Sequence, residues 1–251
     1  STKIEDYGNG WYRCTVVGNN TNSLAQIFVS DTDGSNTGTG SVYLWGAMFE
    51  AGSYPTSYIP TNGSTVTRNA DVANNSGNAD LFNDSEGVLY AEIAALADDE
   101  TFRFISISDG TTANRVFIGY QNVSNNFYVL AGTAVAFISH TITDITKIAV
   151  KYKSGDTSIF INGIEAAVKT DTYTLNGLNS LQFDSGGGGS KFYGNVKCVA
   201  VFKEALTDAE LAQITSATQQ EVFYEMRDRM NIKNYDYYEF GDYTTRLKKL
   251  F

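Results

Sequence analysis

Six residues of this chain combine sugar-recognition chemistry with positions where loops should occur: Asp109, Arg115, Tyr120, Asn122, Asn125 and Asn126. A tyrosine ring offers an apolar face on which a sugar can stack, while carboxylate, amide and guanidinium groups bond its hydroxyls. All six lie on or beside connections between consecutive strand-like runs, which would gather them at one rim. Asp109, Arg115, Tyr120, Asn122 and Asn126 form the candidate carbohydrate-binding set. Each also has an ordinary reading as loop chemistry, because Asp and Asn are good turn formers.

Bond-breaking chemistry has less to work with. His140 is the only histidine, which excludes His-based catalytic triads paired with further histidines and multi-histidine metal sites. It sits in Ile138-Ser139-His140-Thr141-Ile142 and alternates like a strand residue. Glycosidases need two carboxylates about 5–10 Å apart across a cleft. Asp98, Asp99 and Glu100 fall at a turn, and Glu92 stands among apolar neighbours. No phosphate loop or dinucleotide fingerprint occurs, so the chain is expected to be no enzyme, with no catalytic residues.

For metals, Asp31-Thr32-Asp33-Gly34 is half of an oxygen-ligand loop without the later bidentate Glu of an EF-hand. Asp80, Asp84, Asp109 and Asp184 are further loop carboxylates. No cofactor is expected. One structural calcium is the exception left open, against the simpler use of Asp and Asn in turns.

Positioning these groups falls to a β-rich framework. The chain has 251 residues, 23 glycines against two prolines, and 13% aromatic residues, a composition that suits sheet faces and Gly/Asn/Asp turns. A net charge of −10 argues against nucleic acid, which calls for a cationic surface. No apolar run reaches the roughly 20 residues of a membrane-spanning helix, and no signal peptide is seen. The start at Ser1-Thr2-Lys3 reads as a piece cut from something longer. Cys14 and Cys198 read as two small buried thiols, with a disulfide between them as the sharper alternative.

Ile148, Val150 and Tyr152 alternate with Ala149, Lys151 and Lys153, the period of a half-buried strand. Ser154-Gly155-Asp156 and Asn162-Gly163 then supply two tight turns, the second with the positive φ that a two-residue hairpin needs. Strands are also predicted at 87–96, 102–108, 114–120, 126–130 and 135–138. Their inward side chains should include Leu89, Ala91, Phe104, Phe117, Ile148, Val150, Ile159, Ile161, Leu181 and Phe183. Thr207-Asp208-Ala209-Glu210 is a capping box opening a helix, and 218–230 carries a second helical pattern. Tyr235, Tyr237, Tyr238, Phe240 and Tyr243 crowd the end, either folding back or docking on a neighbouring subunit. Near the start, 11–17, 24–29 and 41–50 read as strands, with Trp11 and Trp45 pointing into a core. Three such strands bury too little to stand alone, so their partners should lie upstream or on another chain.

Two resemblances follow from quoted residues. The Ile161-Asn162-Gly163 hairpin, the later strand Phe192-Tyr193-Gly194 to Phe202 and the helix after Ala205-Leu206-Thr207-Asp208-Ala209-Glu210 resemble a concanavalin-A-like, laminin-G-like jelly roll. Tyr7-Gly8-Asn9-Gly10-Trp11-Tyr12-Arg13-Cys14, with Tyr43 through Thr61, looks like the closing half of carbohydrate-binding-module-like sandwiches of bacteriophage tail and virion proteins. There Ala51-Gly52-Ser53-Tyr54-Pro55-Thr56-Ser57-Tyr58-Ile59-Pro60-Thr61 ends one sandwich and leads into the next domain. The expected fold is therefore all-β: an antiparallel β-sandwich (jelly roll) over 71–215. A partial second sandwich and connector occupies 1–70, and a helical, aromatic tail 216–251. The resemblance implies a non-enzymatic virion structural protein, a tail or head fibre or receptor-binding component. It would be extracellular, assembled with other virion subunits as a homotrimer, and would recognise a cell-surface glycan without entering a membrane. The alternatives are a carbohydrate-binding module of a secreted bacterial polysaccharide-degrading enzyme, or a purely architectural virion domain.

Overall fold

A computed structural model describes residues 2–18, 27–30, 32, 35, 38–68 and 77–216. Asp31, Asp33, the predicted second helix, the aromatic tail and the boundary at Asp71 lie outside the described residues.

Among the described residues, twelve strands and one α-helix follow in chain order. A hairpin of β1 (Thr2–Asp6) and β2 (Tyr12–Val16) stands by itself. The remaining strands are β3 (Glu86–Ala94), β4 (Arg103–Ser108), β5 (Arg115–Tyr120), β6 (Asn126–Ala131), β7 (Ala134–Ser139), β8 (Thr146–Lys153), β9 (Thr157–Ile161), β10 (Ile164–Lys169), β11 (Ser180–Gln182) and β12 (Asn195–Phe202). They form two five-stranded sheets, ordered β10-β9-β8-β3-β12 and β11-β4-β5-β6-β7, with antiparallel pairing along every ladder. Stacked face to face, they make the antiparallel sandwich that the strand spacing predicts and the jelly roll that the resemblance implies.

Between the sheets lies a continuous core of Leu89, Ile93, Ile105, Ile118, Phe127, Ile148, Val150 and Ile159 with their neighbours. Each such side chain contributes about 1.5–3 kcal/mol by leaving water. The turns hold locally as read. Asn162 and Gly163 take φ of 49° and 84° between Ile161 and Ile164, which face each other in the ladder. The Asp156 amide closes the earlier turn on the Lys153 carbonyl at 2.9 Å.

Helix α1 (Asp208–Ser216) covers the outer face of the first sheet. Its Leu211 and Ile214 pack with Val88, Tyr90, Ala149 and Phe160. Lys151, almost wholly buried on that face, reaches Asp156 at 2.9 Å and Asp208 at 3.2 Å, tying the helix start to the sheet. The capping box is formed: the Thr207 amide donates to Glu210 Oε2 at 2.8 Å, and the Glu210 amide donates to Thr207 Oγ1 at 3.3 Å. Thr207→Ala should cost about 1 kcal/mol, read as a lower urea midpoint with an unchanged slope.

Three expectations are corrected. Phe104 and Phe117 are buried, but on the outward face of β4 and β5, in a separate cluster with Leu130. Both faces of these strands are apolar, so alternation alone cannot say which points in. Second, residues 41–50 form no strand, and Trp45 and Trp11 are 75% and 48% exposed. No third strand joins the hairpin among the described residues, and without one there is no face to bury them against. Third, both cysteines are free; Cys14 is exposed and Cys198 half-buried. Burial, with Glu92 nearby, pushes the Cys198 thiol up to about 12. Native alkylation at pH 8 should therefore modify Cys14 alone and denatured protein both, as read by intact mass; rapid native labelling of Cys198 would refute this.

Candidate functional site

The five predicted residues do not meet at one rim. Antiparallel strands turn at alternate ends, so the β4–β5 and β5–β6 connections lie a strand length apart, roughly 20 Å for six residues. Asp109 and Arg115 are at one end of β5, and Tyr120, Asn122 and Asn126 at the other. Asp109 is occupied by its own turn: Oδ1 accepts from the Thr111 amide at 2.8 Å and hydroxyl at 2.6 Å, and Oδ2 from Asn114 at 2.8 Å. Those bonds, Thr111 first, hold its carboxyl below the usual carboxylate range. Tyr120 is fully buried between Phe127 and Phe192, at 5.2 and 5.8 Å. It points into the core and offers no ring face to a sugar. Asn122 is exposed. Asn126 Oδ1 is buried without a hydrogen-bond partner among the described residues.

Arg115 belongs elsewhere. It starts β5 on the outward face of the second sheet, where its guanidinium lies 5.0 Å from the Phe117 ring centre. Nη1 donates to the Ser185 carbonyl at 2.5 Å, which fastens the loop through Gly186, Gly187, Gly188 and Gly189. That loop closes on itself through the Ser185 amide and Gly189 carbonyl at 2.8 Å. Burial lowers the guanidinium pKa.

Arg115 marks one edge of an aromatic face that the alternation concealed. Ladder register places Phe104 opposite Gly119, Gly119 opposite Tyr128, and Tyr128 opposite Phe137, in one row across four strands. The Phe104 ring leans over Gly119, so a Cβ there would sit 2.6 Å from Cδ1. Phe104 and Phe117 are 4.3 Å apart and floor the row. Tyr128 stands edge-on to both, at 5.5 and 4.8 Å. Phe137 flanks Tyr128 at 4.8 Å and Phe102 at 6.3 Å. Phe137 is 55% exposed and Phe102 37%. No helix covers this sheet among the described residues, in contrast to its partner under α1. Offset and edge-to-face rings hold one another in place, so the platform is pre-formed.

A second feature lies where the connector meets the sandwich. A cleft of about 200 Å³ is lined by Ala51, Gly52, Ser53, Tyr54, Thr56, Asp99 and Tyr193. Beneath it the Arg103 side chain is fully buried. It pairs with Asp99, donates to the Ala97 carbonyl at 3.0 Å and lies 4.2 Å from the Tyr193 ring centre. Asp99 Oδ2 accepts from Ser53 at 2.9 Å and from Tyr193 at 3.4 Å, while Tyr54 stacks on Tyr193 at 5.9 Å. Burial, then Tyr193, raises the Tyr54 pKa. These polar groups bond chiefly to one another, with Arg103 Nε left without a partner among the described residues, which is the arrangement of a joint.

Among the described residues no group of three or more His, Cys, Asp or Glu could hold a metal ion, and no helix is long and apolar enough to cross a membrane. His140 is half-buried, its Nδ1 2.9 Å from the Thr141 carbonyl.

No protein-family model matches the chain, and no curated protein is significantly similar to it. Among solved structures it is similar to the CBM40 of a Ruminococcus gnavus IT-sialidase bound to α2,3-sialyllactose, at 15% identity over 53% of this chain and 84% of that one, TM-score 0.45. It is similar to a leech intramolecular trans-sialidase at 16% identity, over 55% of this chain and 24% of that one, TM-score 0.41. A SAP-like pentraxin from Limulus polyphemus follows at 14%, 52% and 70%, TM-score 0.41. At these identities and scores no ligand or activity carries over, and the fold rests on the strand ladders themselves.

Proposed function

We propose that this chain is a non-enzymatic, lectin-like recognition component of a bacteriophage virion, and that its aromatic sheet face binds glycan on a host surface. The open row of Phe102, Tyr128 and Phe137 carries the reading. A sugar presents C–H groups on one side and hydroxyls around its edge, so a fixed aromatic strip with polar neighbours suits it. The strip lies on an open sheet face and is longer than one ring, which favours contact with several units of a polysaccharide. The virion setting rests on the resemblance of the Ala51–Thr61 connector, whose Ser53 and Tyr54 dock on the sandwich.

The test is a glycan array of host-envelope polysaccharides, followed by titration. Tyr128→Ala and Phe137→Ala should each weaken binding about tenfold, near 1.4 kcal/mol. Phe137, being exposed, should leave the melting temperature nearly unchanged. Binding that survives both substitutions would remove the face from consideration. Binding by a chain that never enters a virion would instead favour a module of a polysaccharide-degrading enzyme.

A further inference from the structure

We infer that the edge of β1 left open among the described residues pairs with the β1 edge of a second copy of this chain, about a two-fold axis through Ile4. The inference is independent of the glycan reading. It starts from a hairpin whose polarity is inverted. Glu5, Arg13 and Thr15 are half-buried, whereas Ile4, Tyr12, Cys14 and Val16 on the other face are exposed. Arg13 turns toward the connector and donates to the Thr56 carbonyl. Two strands by themselves are marginal in water, and a third or fourth strand is the usual remedy.

Backbone parity says which groups the edge offers. The Tyr7 amide donates to the Trp11 carbonyl at 2.9 Å, in the register that sets Glu5 opposite Arg13 and Lys3 opposite Thr15. Hydrogen-bonded pairs alternate along an antiparallel ladder. Lys3 and Glu5 therefore spend their backbone groups on β2, and Thr2, Ile4 and Asp6 turn theirs to the open side. Antiparallel pairing of two such edges, centred on Ile4, brings Ile4 against Ile4 as a hydrogen-bonded pair and Thr2 against Asp6. It also sets Lys3 directly opposite Glu5 of the other copy, in the closer non-hydrogen-bonded position. Within one strand Lys3 Nζ already lies 2.7 Å from Glu5 Oε1, so both charges stand on the same face. By symmetry the pairing makes this opposite-charge contact twice, and the short strand is complementary to itself. The product is a four-stranded sheet whose apolar face runs through Ile4, Tyr12 and Val16 of both copies. An edge of five residues falls well below the roughly 1,200 Å² of a standard interface, so association is weak and concentration-dependent.

Sedimentation velocity on the full chain, from micromolar to several hundred micromolar, tests this. The wild type should move from monomer toward dimer. Lys3→Glu alone and Glu5→Lys alone place like charges opposite each other twice and should weaken dimerisation about tenfold. Mixing the two variants, or combining both substitutions in one chain, restores opposite charges and should restore the dimer. A wild type that stays monomeric, a stoichiometry other than two, single swaps without effect, or single variants that fail to recover on mixing would each overturn the pairing.

Discussion

Arg103→Ala is expected to destabilise the sandwich by about 3–5 kcal/mol, the usual consequence of removing one partner of a buried ion pair. The guanidinium is fully buried at the start of β4. Its loss strands Asp99, whose side chain is only 15% exposed, and leaves the Ala97 carbonyl without its donor. The Tyr193 ring loses a cation from its face, a contact worth up to about 2 kcal/mol when desolvated. Since Asp99 also accepts from Ser53, the connector should loosen together with the sandwich. Limited proteolysis should then cut near residues 50–56 before the strands. Adding Asp99→Asn to Arg103→Ala should recover part of the loss, because the second change removes the uncompensated charge. A thermal or urea measurement showing less than about 1 kcal/mol would mean that water already solvates the pair.

Gly119→Ala should cost about 3 kcal/mol, the upper end for overpacking a tight interior, and should weaken the proposed glycan binding as well. A methyl at this position would sit 1.9 Å from the Arg103 carbonyl oxygen and 2.6 Å from the Phe104 ring. The carbonyl belongs to the β4–β5 ladder and cannot swing aside alone. The Phe104 ring can tilt, but only by pressing on Phe117 and Tyr128. One methyl therefore reaches both the ladder and the platform. Titrated at a temperature where the variant remains folded, it should bind glycan more weakly than wild type. A variant with wild-type melting and wild-type binding would show that Gly119 is not the seat of the Phe104 ring.

What could be read ahead of the coordinates was mostly local. Asn162-Gly163 and the Thr207/Glu210 box depend on neighbours within four residues, so their chemistry is complete in a short string. The strand set was legible for the same reason, since Ile148, Val150 and Tyr152 alternate cleanly with polar neighbours. The face of a strand is a different matter when both sides are apolar. Phe104 with Ile105, and Phe117 with Ile118, satisfy either choice, and only pairing with β6 and β7 assigns the phenylalanines outward. The loop residues misled through topology: Asp109 and Asn122 flank one strand, and antiparallel order separates them by its length. Trp11 and Trp45 failed for want of a partner, since an alternating pattern says that a side chain wants cover without supplying any.

Helix α1 lies across the back of one sheet, and the chain leaves its end at Ser216 on that same side. Among the described residues the sandwich thus has one sheet covered by a helix and one open aromatic face. The phenylalanines of the second sheet face away from the sheet that the helix covers. Many copies fixed side by side through that back would present their aromatic strips in parallel, so modest grip per copy could add up to firm adhesion on a repeating surface.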